Sequence, residues 1–150
     1  METTHTEAMQ DRQNVQVDPS LQATTRRFTE AFNRADANEV SSFWAEDGTL
    51  ISPAGLVGKG RAGVARVFRN DLETVLPGTT SNFTITSVRR VTADVSFIDL
   101  DHDIQNFRMP DGTARPMTLH LVVLARRRDD TWQWLDARPY AYLPEAKSLH

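Results

Sequence analysis

The sequence predicts an α+β fold in which three N-terminal helices pack on a curved, mostly antiparallel sheet, with a conical space between them. Three observations predict it. Apolar residues recur at three- and four-residue steps in the first half of the chain, which is helical spacing. The second half reads as strands divided by turn signals. The last two of those strands are apolar on both faces, and a strand apolar on both faces is covered on both.

Taken in order, Met1 to Val17 is polar and aperiodic and reads as a disordered tail. One domain is expected over residues 18–144, with a short C-terminal tail at 145–150. Asp18-Pro19-Ser20 is a helix start, a capping residue followed by a proline in the first turn. Leu21, Thr25, Phe28, Phe32 and Ala35 then form one apolar face, and the helix is expected to end near Asp36. A short second helix places Val40, Phe43 and Trp44 inward. It is expected to end in a turn over Ala45 to Gly48, with Gly48 supplying any positive φ. Thr49 to Ser52 is a short strand, with Ala54 to Val57 turning back beside it. Gly60 opens a third helix whose stripe is Val64, Val67, Phe68, Leu72 and Val75, and Pro77-Gly78 stops it. Strands follow at Asn82–Val91 and Val95–Phe107. Pro110-Asp111-Gly112 turns the chain into a long hairpin, Arg115 to Leu143, whose own turn is Asp129-Asp130.

Composition narrows the function classes. A chain of 150 residues suits one domain with a single core. The net charge of −3, with basic and acidic residues interspersed, argues against nucleic acid or an anionic membrane as the main partner. With no cysteine there is no disulfide, no thiol chemistry and no thiolate metal site. No signal-like apolar segment occurs near the N-terminus, and no apolar run long enough to span a bilayer occurs anywhere; a cytoplasmic protein is expected.

The order and residues of these elements resemble the nuclear transport factor 2-like superfamily, and more narrowly its SnoaL-like members and the SgcJ/EcaC branch found in natural-product gene clusters. The pieces that carry the resemblance are Phe28 to Asp36 on the first helix and Phe43 to Leu50 after the second. Gly58 to Val64 at the third helix start and Val122 to Trp134 in the last hairpin also match. The resemblance implies a conical barrel, often a homodimer through the sheet face, whose members include cyclases, isomerases, dehydratases, epoxide hydrolases and non-catalytic binding domains. Many relatives carry histidines after the tryptophan of the C-terminal strand; Asp136 and Arg138 stand there instead.

Gly58-Lys59-Gly60-Arg61-Ala62-Gly63 spells the dinucleotide-binding pattern before a helix. The pattern needs a βαβ unit and an acid about 20 residues on. That position falls near Phe83-Thr84, so the glycines read instead as a turn that starts the third helix close to the sheet. Asp99, Asp101 and Asp103 alternate along one strand with His102 on the opposite face, which is the pattern of a solvated edge; no metal and no cofactor is called for.

Candidate site residues come from polar groups set in apolar strands. His102 and His120, on adjacent strands, can exchange a proton near neutral pH, or else hydrogen-bond within a core or interface. Whether His102 or Asp103 shares a face with His120 depends on a one-residue register. Asp136 falls on the face of Trp132, Trp134 and Tyr140, where desolvation would raise its pKa; Arg138 would position a substrate or neutralise Asp136. Trp44 and Asp47 stand where relatives have an aromatic residue and an Asp near the pocket mouth. The catalytic candidates are therefore His102, His120 and Asp136, and the substrate-binding candidates are Trp44, Asp47, Trp134, Arg138 and Tyr140. The expected function is a small cofactor-independent enzyme of natural-product biosynthesis, acting by general acid/base proton transfer on a small apolar oxygenated metabolite. The alternative is a non-catalytic ligand-binding or accessory dimerisation module.

Overall fold

The computed structural model describes residues 17–143. The predicted tails lie outside these residues except for Val17, which packs against the core. The described residues form α1 (Pro19–Asn33), α2 (Ala37–Ser41), β1 (Trp44–Ile51), β2 (Val57–Lys59), α3 (Gly60–Thr74), β3 (Thr80–Arg90), β4 (Val95–Arg108), β5 (Ala114–Arg128) and β6 (Thr131–Tyr140). The strands make one six-stranded sheet in the order β2-β1-β6-β5-β4-β3. Every neighbouring pair is antiparallel except β1 and β6, which run parallel. No helix among the described residues is long and apolar enough to cross a membrane.

Local chemistry sets most element ends. Asp18 Oδ1 accepts from the Ser20 N–H at 2.8 Å, satisfying an orphan donor of the first turn of α1. The same cap is tied to the last hairpin: Arg127 pairs with Asp18 at 3.2 Å, and Trp132 Nε1 donates to Ser20 Oγ at 2.9 Å. Asp36 caps α2 through the N–H groups of Asn38 and Glu39 at 3.0 and 3.2 Å.

The expected turn at Ala45–Gly48 is strand instead, because tertiary pairing outweighs the local turn signal. Trp44 pairs with Trp134 on β6, and its indole N–H donates to Thr49 O at 2.9 Å across an irregularity in β1. Gly48 is required there for proximity rather than for positive φ: a Cβ would stand 2.9 Å from Trp44 Cδ1 and 3.0 Å from Trp134 O. Gly58 answers the dinucleotide-like pattern in the same terms. A Cβ on it would lie 2.8 Å from the carbonyl oxygen of Gly63, so the two glycines let α3 start hard against β2.

The core lies between the helices and one face of the sheet. That face carries Phe83 on β3; Ile98, Leu100 and His102 on β4; Leu121, Val123 and Ala125 on β5; and Trp132, Trp134 and Ala137 on β6. Phe28 of α1 is its hub, meeting the rings of Phe32, Phe43, Trp44, Phe83 and Trp134 at centroid separations of 5.0 to 6.1 Å. Edge-to-face packing of this kind adds to the burial term and fixes geometry. The opposite, outer face of β4, β5 and β6 is mixed: Phe97, Asp99, Asp101 and Asp103, then His120, Val122 and Leu124, then Asp136, Arg138 and Tyr140.

Candidate functional site

Where the sheet extends past the helices, its inner face and the C-terminal half of α3 enclose a cavity of about 390 Å³. That is within the size range of small-molecule sites. The walls are mostly Phe, Leu, Ile, Met and Trp: Phe32, Phe68 and Phe83 deep inside, with Phe107, Met117 and Leu119 toward the end of the sheet. Pro53 and Ala54 of the β1–β2 loop and Val75, which follows α3, all exposed, stand at the rim.

Two buried ionisable groups line this cavity, Asp71 and His102. Asp71 lies on the inward face of α3, one turn beyond Phe68. Its one side-chain partner is Asn70, whose Nδ2 donates to Oδ1 at 3.3 Å. Burial raises its pKa, opposed by that single weak hydrogen bond. His102 sits on β4 with its ring stacked on Phe83 at 4.2 Å and edge-on to Phe32 at 5.2 Å. Its Nε2 is 2.8 Å from Ser81 Oγ on β3. Burial pushes its pKa down to about 4, with the neighbouring Asp103 opposing, so the imidazole is neutral at pH 7.

Both groups keep one polar atom for a ligand. Arg126 Nε is the one side-chain N or O among the described residues that is fully enclosed without a partner. Asp71 Oδ2 and His102 Nδ1 also have no hydrogen-bond partner among the described residues and are not fully enclosed, and both residues line the cavity. A site with one carboxyl and one neutral imidazole in apolar walls is equipped to take a proton from one atom of a ligand and hydrogen-bond another.

The sequence-derived candidates divide between the two faces of the sheet. His102 and Trp44 line the cavity; Trp44 is fully buried, its indole N–H spent on Thr49 O. Trp134 is in the core against Phe28 and not at the cavity wall. Asp47 is exposed. The β4–β5 register opposes His120 to Asp101 and His102 to Leu119, so the two histidines point to opposite faces. His120 borders the cavity by position, while its Nδ1 bonds Asp101 at 2.8 Å and its ring packs beside Tyr140 and Tyr142 on the outer face. The three alternating acids have separate partners there, Asp99 in Ser87 and Tyr140, Asp101 in His120 and Asp103 in Thr118.

Asp136 does not share the face of Trp132 and Trp134. Ala125 pairs with Trp134 but Leu124 pairs with Asp136, so Leu135 is an extra residue and everything after it changes face. Asp136 therefore lies on the outer face, accepting from Thr49 Oγ1 at 2.8 Å and paired with Arg138 at 2.8 Å. Tyr140 is on that face too, donating to Asp99 at 3.1 Å, and burial with the nearby Asp99 raises its pKa. Asp71 was not among the candidates. Its signal was an acid on an otherwise apolar helix stripe, between Phe68 and Leu72 in sequence and a helical turn from Val67.

The SnoaL-like domain profile matches residues 21–136. No curated protein sequence is significantly similar. Among solved structures, an uncharacterised protein with a cystatin-like fold from Caulobacter vibrioides superposes with a TM-score of 0.71 at 18% identity, covering 86% of this chain and 92% of that one. A putative calcium/calmodulin-dependent protein kinase II association domain from Xanthomonas campestris gives 0.68 at 16% identity, covering 89% and 93%. A ketosteroid isomerase-like protein from Erwinia carotovora atroseptica gives 0.66 at 24% identity, covering 82% and 94%. At these identities the likeness is one of fold.

Proposed function

The chain belongs to the SnoaL-like domain family, and from that premise we propose that it is a small cofactor-independent enzyme that moves a proton within a neutral, apolar, oxygenated metabolite. Cyclisation, isomerisation and dehydration all fit that chemistry. The observation that carries the reading is Asp71, a buried carboxyl with one weak partner, opening on the same apolar cavity as a neutral histidine. A desolvated carboxylate is a stronger base than one in water, and such a group is tuned for proton abstraction rather than for structure. Asp71 acts as the base and His102 as the hydrogen-bond donor to the oxygen on which charge develops. His120, Asp136, Arg138 and Tyr140, on the other face, take no part in this scheme.

The resemblance to the SgcJ/EcaC branch supports a polyketide- or enediyne-type substrate. A second copy is proposed to cover the outer face, where Phe97 is 44% and Tyr140 37% exposed beside half-buried Val122 and Leu124. The test is hydrogen–deuterium exchange at the α-carbon of neutral bicyclic ketones incubated with the protein in D₂O, followed by mass spectrometry. Exchange that is catalysed by the wild type and lost in Asp71→Asn supports the enzyme. Ketones that bind but are recovered without deuterium favour the alternative, a binding or accessory module of the same fold.

A further inference from the structure

His102 has two ring nitrogens, and only one of them has a hydrogen-bond partner among the described residues. We propose that Ser81 is a positioning residue that fixes the tautomer of His102, so that Nδ1–H is the donor presented to the cavity. This rests on the site described above and deepens it: the ligand must offer an acceptor oxygen, a carbonyl, ether or epoxide, at that point.

Ser81 and His102 are both buried, and Oγ and Nε2 are 2.8 Å apart. The Ser81 hydroxyl has no other partner among the described residues, so its proton has one place to go, Nε2. In the opposite arrangement Nε2–H would donate to Oγ, and the serine proton would be enclosed with no acceptor, which buried hydroxyls avoid. When Nε2 accepts, a neutral imidazole carries its proton on Nδ1. Nδ1 has no partner among the described residues and is not fully enclosed, and His102 lines the cavity.

The surroundings hold both members in place. Ser81 cannot withdraw, because its backbone is clamped on both sides by Asn33 at the end of α1. Asn33 Nδ2 donates to Ser81 O at 2.8 Å, and Ser81 N donates to Asn33 Oδ1 at 2.7 Å. The imidazole is gripped between the face of Phe83 and the edge of Phe32. Helix α1 and strands β3 and β4 are thus linked, Asn33 to the Ser81 backbone and the Ser81 hydroxyl to His102, which lines the cavity. A neutral imidazole donor gives nothing to a cationic group and does not attract an anion as an imidazolium would, so at this point of the cavity the partner it suits is a neutral acceptor.

Long-range proton–nitrogen correlation spectra of protein labelled with ¹⁵N-histidine, recorded at pH 7, read the tautomer directly. The expected wild-type result is a His102 protonated at Nδ1, with Nε2 in the unprotonated range. Ser81→Ala should reverse this towards the Nε2–H form, and Ser81→Thr, which keeps the hydroxyl, should preserve it. A wild-type His102 protonated at Nε2 overturns the proposal, as does a Ser81→Ala variant with an unchanged tautomer. If Ser81→Ala does not fold, the wild-type and Ser81→Thr spectra still decide. Addition of 1-tetralone should move the Nδ1 resonance, and tetralin, which lacks the oxygen, should not. Tetralone that perturbs Phe83 but leaves Nδ1 unmoved overturns the donor role. Absence of any tetralone binding counts against the proposed function, while the tautomer measurement still decides this inference.

Discussion

Acidification should destabilise this fold through His102 before any general acid denaturation. The group ordinarily titrates near 6.5 and is pushed down to about 4 by burial, so between those values the unfolded chain binds a proton that the native state refuses. The sign follows from linkage: where the unfolded state holds more protons, stability falls as pH falls. The contribution is whole above 6.5, declines through the interval and is gone by about 4. At 1.36 kcal/mol per pH unit, the gap corresponds to about 3 kcal/mol, a large part of the margin of a small domain. The assay is urea unfolding at half-unit steps from pH 4 to 7.5, on the wild type and on His102→Gln, whose amide oxygen can take the Ser81 proton without titrating. The wild-type curve should lose about 3 kcal/mol more than the variant over that range. Asp71 works in the opposite sense, its raised pKa favouring the native state in acid, but it is common to both proteins and cancels. The reasoning fails if the two proteins show parallel pH profiles, or if the His102 ring proton titrates near 6.5.

Four further outcomes are expected. Asp71→Asn should lower any catalysed proton exchange by about 10²- to 10⁴-fold, the usual worth of a positioned base. The same change should leave the melting temperature at pH 7 equal or higher, since it removes a carboxylate whose ionisation burial opposes; a clear drop would mark Asp71 as structural. Gly58→Ala should cost about 1–3 kcal/mol by urea unfolding, because its Cβ would meet backbone atoms of Gly63 and Val64 at 2.8 to 2.9 Å and α3 would have to move. An unaffected Gly58→Ala protein would refute the packing role of that glycine. Phe97→Glu should convert a dimer to monomer in analytical ultracentrifugation while the far-ultraviolet spectrum is unchanged; a wild type already monomeric at high concentration would end the proposal that a second copy covers the outer face.

The fold was legible because period and punctuation agree along the chain. The helical stripes of α1 and α3, the stop at Pro77-Gly78 and the turns at Asp111-Gly112 and Asp129-Asp130 all fall where the elements divide. What was not legible was anything that depends on partners distant in sequence. Trp44 to Gly48 reads locally as the end of a helix, and becomes strand because β6 lies alongside it, nine tenths of the way along the chain. The site suffered from a single residue. Strict alternation puts Asp136 with Trp134, and one bulge at Leu135 moves the whole Asp136–Arg138–Tyr140 group to the other side of the sheet. The histidine ambiguity was of the same kind, settled by a register that opposes His102 to Leu119. Asp71, by contrast, was readable: a carboxylate on the buried side of an amphipathic helix has to be accounted for, and strand-centred reasoning passed over it.

The two cavity groups gain their meaning from being left incomplete. A buried carboxyl serving only the fold would be met by several donors, since an unmet charge costs stability. Asp71 has one long bond from a neighbouring amide that is itself exposed. Across the protein the outer face shows the other solution: Asp99 accepts from Ser87 and Tyr140, and Asp136 accepts from Thr49 and pairs with Arg138. The chain thus gives Asp99 and Asp136 two partners each where the sheet is mixed and polar, and gives Asp71 a single long bond where the walls are Phe, Leu and Ile. His102 repeats the contrast with His120, the first with one nitrogen open to the cavity and its ring desolvated, the second paired with an acid among tyrosines. Desolvation raises the basicity of the carboxylate and keeps the imidazole neutral, so a ligand carrying an acidic C–H and an acceptor oxygen would supply what both groups lack. Stability given up at Asp71 and His102 is in this view the source of the chemistry, and it is why the acid titration of His102 and the exchange rate of Asp71→Asn report on the same site from two sides.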